Sequence, residues 1–287
     1  MMPNCEKSHG IVYVSIGHES FAQMCLASIS SLRHVGYNGP VLVITDQRNI
    51  AWPRMGTLLH HVPSSNAPFY SRHWKTQVGL ISPFENNIYL DCDILATSSI
   101  EEAWSKIRED KLGLALDDPP TLASELGSLD KWSRSPKSEQ YYTANVCSPH
   151  EAFYNGGVIF WKKSAIANEF FLRWHHEWKV FSGRDQFALL RALAHSGISV
   201  VRLPNAFNCR SRYSPTLVNA IFQKKLFVHF LDNKRRFYRF SKEIEKFAAI
   251  DQKTRQMVIT LLADSSVVSH LLPKQEYFAR YLELHDE

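Results

Sequence analysis

No apolar run in this 287-residue chain approaches the ~20 residues that a membrane-spanning helix needs. The first ten residues are polar and lack the hydrophobic segment of a secretory signal. Cysteine is sparse: Cys5, Cys25, Cys92, Cys147 and Cys209 are scattered, odd in number and without zinc-ligand spacing. That pattern argues against a disulfide framework and a structural zinc site, and it fits reduced thiols. Repeats and low-complexity tracts are missing as well, so solenoids and disordered linkers are set aside. These absences lead to the expectation of a cytoplasmic protein without a transmembrane segment.

What is present is the composition of an ordinary globular chain, 45% hydrophobic and 21% charged, long enough to bury a substantial core. The net charge of +5 is placed unevenly. Between Arg202 and Lys246 stand eleven Lys or Arg against three Asp or Glu, a segment suited to phosphates or an anionic surface.

Hydrophobic patterning gives the organisation. Gly10 to Gly17 reads as a buried strand, Phe21 to His34 as a helix, and Val41 to Asp46 as a second strand. This strand–helix–strand opening predicts a parallel, doubly wound sheet, which binds ligands at the carboxyl ends of its strands. Ser71 to Ser82 and Ser98 to Glu109 read as helices, with a strand between them and another at Leu112 to Leu116. From Pro119 to His150 periodicity is lost, and an excursion of that length suits substrate binding. Phe153 to Phe160 is a strand carrying a glycine pair; helices follow at 164–181 and from Asp185 to Gly197. Ile198 to Leu203 and Leu226 to Leu231 are strands, and the chain is mostly helical from Lys242, with a last helix beginning at Pro273.

The stretch with most chemistry is Asn87-Ile88-Tyr89-Leu90-Asp91-Cys92-Asp93, an apolar strand ending in two acids. Residues i and i+2 of a strand point to one side, so Asp91 and Asp93 can face a single point. Two carboxylates so close repel unless a cation lies between them, and hard divalent ions such as Mg²⁺ or Mn²⁺ accept that geometry while keeping positions open for phosphates. The plainer alternative is a solvated turn at a strand end.

Companion motifs favour the metal. Ser15-Ile16-Gly17 through Phe21, Lys75, Asp91-Cys92-Asp93, Asn155-Gly156-Gly157-Val158 and Asp185-Gln186 occur in that order, followed by Leu203-Pro204, Phe207-Asn208 and His229-Phe230. In this the chain resembles nucleotide-sugar glycosyltransferases of the GT-A fold, most closely the retaining family 8 type that includes glycogenin and bacterial lipopolysaccharide galactosyltransferases. The resemblance spans roughly residues 10 to 237. It implies an α/β protein with a Rossmann-like mixed sheet flanked by helices, a glycosyltransferase domain over 1–240 and a helical C-terminal extension over 241–287.

The resemblance also implies roles. Asp91, Asp93 and His229 would hold Mn²⁺ or Mg²⁺, although a histidine after an apolar strand is otherwise a packed core residue. Ser15, Ile16, Gly17 and Phe21 would hold the base, Phe21 by stacking where the family commonly has tyrosine. Lys75, Cys92, Gly156, Gly157 and Lys234 would complete the donor site, with Arg72 a second candidate for the task of Lys75. Asn155, Asp185 and Gln186 would line the reacting centre, and Asp117 or Asp118 would hold sugar hydroxyls. On the plain reading Asp185 caps its helix, and Asp117-Asp118 make a turn before two prolines.

The family often has a glycine at the position of Asp232 and Lys-Pro-Trp where this chain has Lys234-Arg235-Arg236-Phe237, which leaves open whether Lys234 or Arg235 meets the diphosphate. The expected reaction is metal-dependent transfer of a hexose from a UDP-sugar to a hydroxyl of a glycan, lipid-linked sugar or protein, with retention. A nucleotide-sugar-forming nucleotidyltransferase is the alternative enzyme, but Ile16-Gly17-His18-Glu19 lacks its usual glycine-rich basic loop. A phosphate- or membrane-binding module of the same fold is the non-enzymatic alternative, and it gives no reason to bring two carboxylates to the site. The basic, aromatic stretch over 234–246 is expected to touch an anionic membrane surface in an auxiliary role. No nucleic-acid partner is expected.

Overall fold

The computed structural model describes residues 9 to 257 apart from residues 55, 129–135, 232, 252, 255 and 256. Asp232 and the helix expected from Pro273 lie outside the described residues.

Strand β1 (His9–Ser15), helix α1 (Glu19–His34) and strand β2 (Val41–Thr45) form the expected opening unit. Ile11 and Tyr13 of β1 pack on one face of the sheet, and Val12 and Val14 on the other. A strand covered on both faces needs no polar alternation, which is why β1 reads as a continuous apolar run. Strand β3 (Thr57–His61) pairs in parallel with β2 at the sheet edge. It went unread because it is half exposed and has no alternating pattern.

The single helix expected over 71–82 is instead two short ones, α2 (Tyr70–Lys75) and α3 (Val78–Ile81). Between them the Thr76 hydroxyl donates back to the Arg72 carbonyl at 3.0 Å, a bond that competes with helix continuation. Strand β4 (Asn86–Leu90) delivers Asp91, and β5 (Ile94–Ala96) follows at once. The helix expected over 98–109 shrinks to the single turn α4 (Glu101–Trp104), whose only buried residue is Ala103. Strand β6 (Lys111–Thr121) continues through Asp117 and Asp118 instead of turning there. Among the described residues of the excursion over 119–150 there are two helices, α5 (Leu122–Ser128) and α6 (Lys137–Val146).

Strand β7 (Ala152–Lys162) leads to α7 (Ala165–Phe181), capped by the Ser164 hydroxyl, and then to α8 (Asp185–Ser196), closed by Gly197 at φ 67°. Strands β8 (Ser199–Leu203) and β9 (Cys209–Arg210), helix α9 (Leu217–Phe222) and strand β10 (Phe227–His229) complete the body. Helix α10 (Lys234–Ala249) begins eight residues before the helical region expected from Lys242.

Among the described residues the main sheet has seven strands in the order β3-β2-β1-β4-β7-β6-β8. Strands β1 to β4 are parallel, β7 runs antiparallel to β4 and β6, and β8 is parallel to β6. A smaller sheet, β5-β10-β9, stands beside it. Helices α1 and α10 cover one face of the main sheet, and α3, α7 and α8 cover the other. On α10, Phe237, Phe240 and Ile244 point into the core, so its aromatic face is spent on packing while Arg235, Arg239, Lys242 and Lys246 remain exposed. Among the described residues no helix is long and apolar enough to cross a membrane.

Candidate functional site

A cleft of about 400 Å³ opens at the carboxyl ends of β1 and β4. It lies where such sheets bind ligands. The chain after β4 brings Asp91, Cys92 and Asp93 to its wall, and β10 brings His229 from the smaller sheet.

Strand β7 meets this point in a bulge. Leu114 of β6 lies opposite Ile159, but the next residue, Ala115, lies opposite Asn155, so Gly156, Gly157 and Val158 are left without partners on β6. A bulge of this kind re-aims the backbone next to a site. The Gly157 carbonyl accepts from the Asp91 N–H at 2.8 Å, and its N–H donates to Asn155 Oδ1 at 2.9 Å. A Cβ on Gly157 would lie 2.3 Å from His229 Cε1, so the imidazole occupies the space that any side chain there would fill.

One donor atom each from Asp91, Asp93 and His229 falls within 4.8 Å of the others. His229 is 2% exposed, with Nε2 3.3 Å from Asp93 Oδ1 and 3.8 Å from Asp91 Oδ2. Burial pushes the Asp93 carboxyl up, but the charge and hydrogen bond of His229 outweigh it and hold the group below the usual carboxylate range. Two carboxylate oxygens and an imidazole nitrogen form a donor set that suits Mn²⁺ and also Mg²⁺.

Behind this triad lies a buried ionic network. Lys75 Nζ stands 3.0 Å from Asp91 Oδ1 and 2.9 Å from Asp185 Oδ2, and Arg72 Nε is 3.2 Å from Asp185 Oδ1. The Tyr89 hydroxyl donates to Asp91 Oδ1 at 2.6 Å. Burial alone would lower the Lys75 ammonium, yet Asp185 and Asp91 raise it, so the cation is fixed. Asp185 is not its helix's cap; Arg184 holds that place, and Asp185 turns its side chain to the cations.

No protein-family model and no curated protein matches the chain. Solved structures do. The chain is similar to the bifunctional glycosyltransferase WbbM in its apo form, with a TM-score of 0.57 and 12% identity over 90% of this chain. It spans only 53% of the length of WbbM. It is also similar to the galactosyltransferase LgtC solved with donor and acceptor sugar analogues, with a TM-score of 0.54, 13% identity, and coverage of 86% of this chain and 99% of that one. Mouse xyloside xylosyltransferase 1 gives a TM-score of 0.50 at 12% identity, over 79% of this chain and 99% of that one. This is the GT-A glycosyltransferase fold.

On that fold the remaining expected residues take definite places. Ile16, Phe21, Gly156, Gln186 and Lys234 line the cleft together with the triad and its cations. Phe21 is 41% exposed, and the Lys234 ammonium lies 5.4 Å from the centre of its ring while donating to Ser20 Oγ at 2.9 Å. Of the two basic residues left open, Lys234 reaches the cleft wall and Arg235 does not. Ser15 is fully buried and off the wall. Gly17 is exposed at φ 96°, its N–H taken by the Asp46 carboxylate at 3.1 Å. Cys92 is buried, its thiol donating to the Val14 carbonyl.

Asp117 accepts from the side-chain amides of Asn155 and Gln186 and pairs with Arg210, while Asp118 pairs with Arg212 and accepts from the Tyr213 hydroxyl. Nothing in the sequence marks Asp46, Arg210 or Arg212 as a site residue, and the motif series gives Asn208 no role. Each acts through a neighbour brought in by strand pairing, and no local spacing signals that.

The network has a consequence for acid stability. Burial pushes Asp185 up, but Lys75 first and then Arg72 bring it down from 3.8 to about 2. Because the folded value lies below the unfolded one, this stabilisation is complete above about pH 4 and is lost as pH falls through about 2. The wild type is therefore expected to lose ~2 kcal/mol more than Asp185→Asn between those limits, read by urea unfolding at each pH. Parallel losses in the two proteins would contradict the ion-pair assignment.

Proposed function

We propose that this protein is a metal-dependent glycosyltransferase that moves a hexose from a UDP-sugar to an acceptor hydroxyl with retention at the transferred carbon. The acceptor is a glycan, a lipid-linked sugar or a protein. The observation carrying this reading is the convergence of Asp91, Asp93 and His229, two carboxylates and a buried imidazole, beside Lys75 in the cleft.

These three residues would hold Mn²⁺ or Mg²⁺, which when bound neutralises charge on the diphosphate as UDP departs. Phe21 offers the uracil an exposed ring, and Lys234 sets a cation over that ring. Two of the three donors of the Lys75 ammonium are engaged by Asp91 and Asp185, which leaves one for the donor substrate. Gln186 spends its amide N–H on Asp117 and keeps its carbonyl oxygen for a sugar hydroxyl. In the transfer, the bond from the sugar carbon to UDP breaks with its electron pair going to UDP. The acceptor oxygen bonds that carbon and gives its proton to the departing UDP phosphate. Asp185, an anion clamped by two cations, cannot supply a proton and is a weakened nucleophile, so its part is electrostatic.

The reading places the protein in the cytoplasm. Peripheral contact with an anionic membrane would use the exposed cations of α10 alone, and failure to sediment with anionic vesicles removes that part.

The test is a donor-hydrolysis screen over UDP-glucose, UDP-galactose, their N-acetyl forms and GDP-sugars, with and without Mn²⁺. Turnover should require both a UDP-sugar and the metal. Asp93→Asn should cut it by about a hundredfold or more, matching the ~3 kcal/mol typical of one lost electrostatic contact. Metal-independent turnover, or full activity of Asp93→Asn, overturns the proposal.

A further inference from the structure

Asn208 touches neither carboxylate of the triad, yet the hydrogen bonds around it leave one consistent assignment. The anchor is the Gly157 backbone N–H, which can only donate. It lies 2.9 Å from Asn155 Oδ1, so that atom is an acceptor. The other end of the Asn155 amide faces the Asp117 carboxylate at 3.4 Å, which can only accept when ionised, and this agrees with the same orientation. Asn155 Oδ1 lies 2.9 Å from Asn208, so Asn208 must present its NH₂ there. The Asn208 carbonyl oxygen is thereby turned to His229 Nδ1, also at 2.9 Å. An acceptor at that distance requires a proton on Nδ1. With Nδ1 committed to Asn208, Nε2 is the ring nitrogen left facing Asp91 and Asp93, and the one that would take a metal held between them.

We propose that Asn208 is a positioning residue that fixes the tautomer of His229 and so makes Nε2 a metal ligand. Resting on the metal reading above, this names the device that prepares its nitrogen donor. The relay runs Gly157 N–H, Asn155, Asn208, His229, and every member is at least nine-tenths buried or backbone. Strand pairing helps to build it: β9 lies parallel to β10 with Arg210 opposite His229, and the chain entering β9 carries Asn208, two residues earlier, past the imidazole. Metal-bound histidines commonly donate their other ring N–H to such a partner, and its loss typically costs 10–100-fold in metal affinity.

The experiment is a titration of the full chain with Mn²⁺ alone, followed by the electron paramagnetic resonance signal of free Mn²⁺. Thermal unfolding of each variant shows that it is folded. Asn208→Leu keeps nearly the volume and removes the acceptor, and it should weaken binding by about 10–100-fold. Asn208→Ser, too short to bridge both neighbours, should do the same and serves if the leucine variant does not fold. Asn208→Asp keeps an acceptor facing Nδ1 and should bind at least several times more tightly than Asn208→Leu. A residue that only packed would give the reverse order, because leucine suits a buried site better than a carboxylate. Wild-type affinity in Asn208→Leu, or tighter binding by Leu than by Asp, overturns the relay. A wild type that takes up no Mn²⁺ overturns the metal reading itself, and the relay falls with it.

Discussion

Gly157→Ala is expected to weaken Mn²⁺ binding by about a hundredfold or more and to lower sugar transfer by a comparable factor. The added Cβ would lie 2.3 Å from His229 Cε1 and 2.8 Å from Nδ1, far inside contact distance. Relief cannot come from the Gly157 side, because its carbonyl is bonded to the Asp91 N–H and its own N–H to Asn155. The imidazole must therefore leave its place between the carboxylates, taking Nε2 from Asp93. Overpacking of this kind costs typically 1–3 kcal/mol of stability, so the variant should still fold. The neighbouring position is the control. A Cβ on Gly156 meets Asp185 Oδ2 at 3.5 Å and Leu189 Cδ2 at 3.6 Å, ordinary contacts that require no movement. Gly156→Ala should therefore keep Mn²⁺ affinity within a few-fold, whatever it does to donor binding in the cleft. Calorimetric Mn²⁺ titration of the two variants decides the matter, and equal affinities would show that His229 does not depend on the missing side chain.

The legibility of this site in the sequence follows from where its information sits. Asp91 and Asp93 could be paired from the period of one strand, and the apolar runs of β1, β2, β4, β7 and β10 were each visible because those strands are covered on both faces. The order of motifs brought Lys75, Gly156-Gly157, Asp185-Gln186 and His229 to one place, and the cleft contains them all. What stayed hidden is relational. The pairing of Lys75 with both Asp91 and Asp185 joins three elements, and the task of Asn208 arises only because β9 lies beside β10. Edge strand β3 has too little burial to impose a pattern. Helix α6 was missed for a different reason. Its buried residues are Glu139 and Thr143, so the inward face is polar and leaves no apolar stripe to read.

That polar face leads to the largest expected loss of stability. Arg191 of α8 is fully buried, with Nε 3.0 Å from Glu177 of α7, Nη1 2.6 Å from the Thr143 hydroxyl of α6, and both terminal nitrogens 3.4 Å from Glu139. A further bond reaches the Glu177 carbonyl at 3.1 Å, and His195 stands 3.2 Å from the Glu177 carboxylate. One guanidinium thus ties α6 to α7 and α8. Arg191→Met leaves Glu139 and Glu177 facing each other without their shared cation, and breaking a buried pair in this way costs about 3–5 kcal/mol. Arg191→Lys should recover little, since an ammonium cannot fill five directions at once. Replacing all three charged residues by methionine should recover most of the loss, because it is the abandoned carboxylates, not the absence of an ion pair, that destabilise the fold. Urea unfolding of the single and triple variants measures both effects. A loss under about 1 kcal/mol in Arg191→Met would mean that water reaches the carboxylates and the cluster is not a dry clamp. Helix α8 also begins with Asp185 and Gln186, six and five residues before Arg191. A clamp on α8 therefore joins the cleft-lining start of α8 to α6, and loosening it should raise hydrogen exchange in both helices.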